Sequence, residues 1–195
     1  MTWARYKANR MEDAAPPRDL TLYRPNVGVV VFCSRGRVWL GRRANTEGPY
    51  NWQFPQGGID DGEDLECAAR RELMEETGLR SIELLGRTQG WIVYDFPPGW
   101  KGSKALRGWK GQKQVWFAYR FTGADDEVDL SLHQPPEFDA WRWADLHETP
   151  NLVIPFKRAT YDEVVRAFTG HAAPPPAASS PQQPRQDRIG SPVGR

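Results

Sequence analysis

Glu72, Glu75 and Glu76 stand at i, i+3 and i+4 in the run Arg70-Arg71-Glu72-Leu73-Met74-Glu75-Glu76. On a helix this spacing brings the three carboxylates together on one face. Like charges so placed repel, and burying an unpaired carboxylate is costly, so the pattern demands a positive partner. One solution is an ion-pair network with Arg70 or Arg71, or a helix face left in water. The other is a hard divalent cation such as Mg²⁺, which takes carboxylate oxygens, keeps waters and bridges phosphate oxygens. The glycine turn Gly57-Gly58 just upstream, together with three carboxylates rather than two, favours the metal.

Carboxylates act together only if an element holds them. Asp64 to Gly78 is rich in helix formers and ends on a glycine suited to a left-handed cap, which predicts a helix of about four turns. Leu65, Ala68, Ala69 and Leu79 share a face that should pack on a sheet, with Glu72 and Glu76 in its middle and Glu75 at its edge. Val27 to Ser34 and Arg37 to Arg42, joined by Ser34-Arg35-Gly36, read as a hairpin. Arg87 to Phe96 and Gln114 to Phe121 read as two more strands around a long Gly-, Pro- and Lys-rich loop, Pro97 to Gly111. Asp139 to Ala144 reads as a short strand, and Phe156 to Phe168 carries apolar residues at helical spacing. The fold class is therefore α/β.

These residues also match a known pattern. Gly57, five residues, Glu63, seven residues, Arg71-Glu72-Leu73, one residue, Glu75-Glu76, one residue, then Gly78-Leu79 resembles a complete Nudix box. The resemblance implies a sandwich with a mixed sheet between helices, and hydrolysis of a nucleoside diphosphate linked to another group. It implies a divalent cation, Mg²⁺ or Mn²⁺, held by Glu72, Glu75 and Glu76 with Glu137 from far along the chain. One of Glu72, Glu76 or Glu137 would orient or deprotonate the attacking water, and which one is left open. Glu63 and Arg71 would pair to hold loop and helix together, with Gly57 and Gly58 turning the backbone tightly and Gly78 closing the helix.

Outside the box, Tyr23-Arg24-Pro25-Asn26-Val27-Gly28, Trp52 to Gly58, Gly111-Gln112-Lys113-Gln114, Pro136 to Asp139 and Phe156-Lys157-Arg158 resemble the Nudix subfamily that acts on the 5′ end of RNA. That resemblance implies removal of pyrophosphate from a 5′-triphosphate to leave a monophosphate, a step that primes RNA decay. The runner-up is asymmetric cleavage of a dinucleoside polyphosphate such as diadenosine tetraphosphate. A reading of another class is a nucleotide- or RNA-binding module without catalysis, which predicts a broken carboxylate set. Arg24, Arg43 and Lys157 match positions that face the substrate, Gln112 and Lys113 would reach phosphate or base, and Tyr94 would offer its hydroxyl. Phe156 and Arg43 are the candidates for sandwiching a base.

Composition bounds the rest. With 195 residues, 39% hydrophobic and 12% aromatic, the chain has material for one ordinary domain with a core. From His171 onward it turns Pro-, Ala- and Gln-rich, predicting a disordered tail over 171–195; residues 1–20, with Ala14-Ala15-Pro16-Pro17, read as a second loose end, leaving a domain at 21–170. The tail holds Arg185, Arg188 and Arg195 against Asp187, so the chain's net charge of +1 becomes −1 without it. A charge so near zero fits recognition of one 5′ end through a few placed cations, for which a long basic binding face is not needed. No apolar run is long enough for a membrane span and the opening residues lack a secretory signal, so the expectation is a cytoplasmic protein, with a monomer favoured. Cys33 and Cys67 sit in apolar patterns, read as buried free thiols, and are assigned no chemistry.

Overall fold

A computed structural model describes residues 18–100 and 108–172. The predicted loose ends lie mostly outside these, as does the middle of the 97–111 loop. His171 is an exception: its ring meets Phe32 edge-on at 6.0 Å, so the described fold runs past the predicted boundary.

The centre is the pair β1 (Tyr23–Phe32) and β7 (Gly111–Phe121), parallel and in unbroken register from Tyr23 opposite Gly111 to Phe32 opposite Arg120. Nearly every residue of both strands is buried, as expected of parallel strands covered on both faces. β2 (Val38–Arg43) returns antiparallel from β1 as the predicted hairpin, though β1 begins four residues earlier than Val27. β3 (Trp52–Gln53) and β8 (Phe138–Ala144) pair with β2, and β4 (Gln56–Gly58) pairs with β1. The strand expected over 87–96 is shorter, β6 (Ile92–Asp95), and it is preceded by a strand that was not expected, β5 (Ile82–Arg87); both are antiparallel to β7.

Alternation along the strands sends side chains to two cores. Val27, Val29 and Val31 with Val115, Phe117 and Tyr119 face helix α1 (Leu65–Thr77), which contributes Ala68, Ala69 and Leu73. Val30 and Phe32 with Trp116 face helix α2 (Arg158–Phe168), which contributes Tyr161, Val164 and Phe168. The mixed sheet thus lies between two helices. Burying each large side chain such as Leu73 contributes about 1.5–3 kcal/mol. The Tyr161 hydroxyl accepts a hydrogen bond from the Phe54 backbone N–H at 2.9 Å, tying α2 to the segment that runs into β4.

α1 is defined by its caps. The Asp64 carboxylate accepts from the backbone N–H groups of Glu66 (2.9 Å) and Cys67 (3.2 Å), and Gly78 closes the helix at φ 81°. The cysteine expectation divides: Cys33 is buried just past β1, whereas Cys67, a helical step away from the Ala68–Ala69 stripe, is exposed.

Candidate active site

Where α1 crosses β4, the third turn of the helix meets the glycine strand. A Cβ on Gly57 would fall 1.8 Å from the Glu72 carboxyl carbon, so only glycine lets the carboxylate lie against the backbone there. Gly58 makes room for a guanidinium: its Cβ would lie 2.4 Å from Nη2 of Arg24. Glu76, one helical turn beyond Glu72, accepts a hydrogen bond from the Gln56 backbone N–H at 3.1 Å. Burial pushes the Glu76 carboxyl well above its ordinary range; Glu137 and Glu72 nearby push the same way, against the Gln56 N–H and Arg43. Glu72 is raised too, by burial first, with Arg71 opposing.

Arg71 is the hub of the ion pairs. Its Nε and Nη2 meet the two Glu63 carboxylate oxygens at 2.8 Å each, and Nη2 also donates to the Gly58 carbonyl at 2.9 Å. Its Nη1 reaches Glu72 at 2.9 Å and Glu75 at 3.4 Å. The bidentate pair holds Glu63 down to about 2, with a further bond from the Asp60 N–H. Ion pairing and metal binding therefore coexist as claims on the same carboxylates. With Glu72 and Glu75 turned to Arg71, no three acidic, histidine or cysteine side chains among the described residues converge on one point that would close on an ion.

The residues still fit a divalent cation. Glu72, Glu76 and Glu137 are hard oxygen donors close enough for their charges to act on one another, and Gly57 leaves the Glu72 carboxylate unobstructed. Glu137, just before β8, receives Arg43 at 3.2 Å and Gln53 Nε2 at 3.4 Å. A register shift between Arg42 and Arg43, where β2 pairs with β8, separates the two arginines: Arg42 meets Asp139 at 2.7 Å, and Arg43 turns to Glu137.

Glu76 and Glu137 open onto a cleft of about 270 Å³. Of the residues expected to bind substrate, Arg24, Arg43, Tyr94, Gln112, Phe156 and Lys157 line it. Lys113 does not. In β7 it alternates with Gln112 and Gln114 and so points to the α1 side, its ammonium 5.2 Å from the Trp91 ring centroid. Phe156 meets Tyr94 at 5.8 Å and Trp100 at 4.9 Å, while Arg43 is drawn to Glu137. The Arg43 Nε is buried without a partner. Lys157 is 6% exposed; burial and Arg43 push it down to about 8, while Glu137 and Glu76 act against them.

Asn26, Gln53, Gln56 and Trp100 also line the cleft, although sequence reasoning gave them no role. Gln114 donates to the Asn26 side chain at 2.6 Å and more distantly to Gln56 at 3.4 Å, and Tyr94 donates to Gln112 at 2.6 Å. The signal was available: Asn26 and Gln56 stand inside stretches already singled out, and two-residue alternation puts Asn26 on the same face as Arg24.

The NUDIX domain family matches residues 22–168. A protein of Caulobacter vibrioides named RNA pyrophosphohydrolase is 66% identical over 151 residues, 77% of this chain and 88% of that one. One of Rhodospirillum rubrum with the same name is 48% identical over 155 residues, 80% of this chain and 92% of that one. Among solved structures, the E. coli dihydroneopterin triphosphate pyrophosphohydrolase aligns with TM-score 0.55 at 20% identity, covering 74% of this chain and 98% of that one. The C. elegans Ap4A hydrolase aligns with TM-score 0.53 at 18% identity, covering 77% and 99%. At these identities the structural likeness is one of fold.

Proposed function

The chain belongs to the Nudix family, and from that premise we propose that it is an RNA pyrophosphohydrolase, removing pyrophosphate from the 5′-triphosphate end of RNA to leave a 5′-monophosphate and so prime decay. The observation that carries this reading is 66% identity to a relative of that name over most of both chains. The cleft supports it: the carboxylates of Glu76 and Glu137 line it together with cations and aromatic rings.

Glu72, Glu75 and Glu76, with Glu137, would hold Mg²⁺ or Mn²⁺. A cation held there would supply charge to neutralise phosphate oxygens and would lower the pKa of the attacking water. One of the two cleft-lining carboxylates, Glu76 or Glu137, takes the single proton that water gives up as it attacks, while the anhydride bond between the α- and β-phosphates breaks and pyrophosphate leaves. Arg24, Arg43 and Lys157 meet the negative oxygens, Tyr94 and Gln112 offer polar contacts, and Phe156 offers a ring face to a base. The reaction belongs in the cytoplasm, and among the described residues no helix is long and apolar enough to cross a membrane.

The test compares kcat/KM on a triphosphorylated oligoribonucleotide and on diadenosine tetraphosphate at one Mg²⁺ concentration, with chelation and add-back as control. Preference for RNA by tenfold or more is expected. Preference for the dinucleotide would overturn the RNA assignment, and turnover surviving chelation would overturn the metal assignment.

A further inference from the structure

Tryptophan is seldom left open to water, because its ring carries a large apolar area. Trp100 is 39% exposed, at a cleft that holds polyphosphate under the function proposed above. It stands at the end of a tight turn, its N–H donating to the Pro97 carbonyl at 3.0 Å. Gly99 at φ 74° supplies the positive φ that a type II turn needs at its third position, and Pro98 has its φ preset for the second. A stiff turn therefore displays this ring.

Trp100 also ends a row. Tyr94, Phe156 and Trp100 follow one another with centroids 5.8 and 4.9 Å apart. Exposure rises along the row, from 6% at Tyr94 through half-buried Phe156 to 39% at Trp100. At its inner end the Lys157 ammonium lies 5.8 Å from the Tyr94 ring centroid. The row thus leads from a buried cation suited to phosphate out to solvent, the course a strand takes if its 5′ phosphates are held inside. The rings are separate platforms rather than one stack, 40° apart in plane at Tyr94–Phe156 and 66° at Phe156–Trp100, and exposed aromatic rings along such a course suit nucleobases, which stack without regard to sequence.

We propose that Trp100 is a base-stacking residue, holding the base that follows the one lying against Phe156. The inference rests on RNA being the substrate. It adds a specificity determinant for chain length: a substrate with bases beyond the first gains a contact that a mononucleotide lacks.

The probe is a 5′-monophosphorylated tetraribonucleotide with a 3′ fluorophore, titrated with full-length protein and read by anisotropy. Trp100→Ala is expected to weaken binding about tenfold, the size of one base–aromatic stack. Trp100→Phe is expected to stay within about threefold of wild type. On a probe whose second and third nucleotides lack bases, wild type and Trp100→Ala should bind alike. Equal affinities on the intact probe, or the same loss on the abasic one, would overturn the proposal. In a Phe156→Ala background Trp100→Ala should cost about the same factor again; no further loss would make Trp100 a mere support for Phe156 and also overturn it. The probe is not consumed, and pyrophosphate release from the matching triphosphorylated RNA is measured separately, so the function reading and this inference can fail independently.

Discussion

The Glu72 carboxylate rests on the backbone of Gly57 so closely that a single methyl group at residue 57 would overlap it, at 1.8 Å from the carboxyl carbon. The overlap is with the end of a flexible side chain, so the cost falls on the position of Glu72 more than on the fold. Gly57→Ala should lower kcat by about 10²-fold, as expected if displacing Glu72 misplaces the proposed metal ligands by about an ångström. Overpacking should cost about 1–3 kcal/mol of stability. Steady-state kinetics and urea melts check the two together; unaltered turnover would count against Glu72 as a functional ligand.

Glu76→Gln keeps the shape of the side chain and removes a charge that burial and two neighbouring carboxylates disfavour. Its melting temperature should match or exceed that of wild type, because burying a neutral amide is cheaper than burying a carboxylate. Turnover should fall by several orders of magnitude with Mg²⁺ present. Near wild-type kcat in the purified, metal-loaded variant would remove Glu76 from the catalytic set.

Lys157 titrates near 8 in the folded protein against an ordinary 10.5. Below about pH 8 it is an ammonium that attracts phosphate, so kcat/KM should fall as pH rises through about 8. The limb in kcat should lie higher, because bound phosphate favours the charged form. Lys157→Gln should flatten the kcat/KM limb. The same shift bears on stability: between about 8 and 10.5 the unfolded chain holds more protons at this residue, so its contribution to stability rises with pH across that window. Denaturant melts of wild type against Lys157→Gln isolate it.

Glu63 carries the opposite sign. Its folded pKa, held to about 2 by Arg71, lies below the ordinary 4.5. The stabilisation is complete above the unfolded value and is lost as pH falls from about 4.5 through about 2. The stability difference between wild type and Glu63→Gln should therefore be constant above about pH 5 and shrink below it. A difference independent of pH would show that Arg71 gains nothing from the charge of Glu63.

Much of the candidate site's geometry was legible because it is local. The glutamates of α1, the caps Asp64 and Gly78, and Gly57 all fall within 22 residues, and helical geometry relates them directly. Alternation would equally have separated Lys113 from Gln112, since adjacent strand residues face opposite ways, but motif membership grouped them. The break between β5 and β6 was less accessible: Thr88 bonds its backbone N–H to the Trp116 carbonyl, and its hydroxyl accepts from the Trp116 N–H, so that stretch looks strand-like although the ladder is interrupted. β3 and β4 are two and three residues long and carry no periodic signal; β4 exists because β1 offers it a partner. The attraction of Arg43 to Glu137 depends on a register shift between β2 and β8, a long-range feature that no local pattern encodes.

The parallel pairing of β1 with β7 joins Tyr23 to Gly111. During synthesis, Glu72, Glu75 and Glu76 of α1 are therefore made before the strand that must lie beside Arg24 and Asn26 exists, and Lys157 follows later still. Contacts so distant in sequence form slowly and late. Catalytic competence is thus a property of the nearly finished chain: a nascent fragment already carries the acidic helix but has no cleft in which to turn it against RNA.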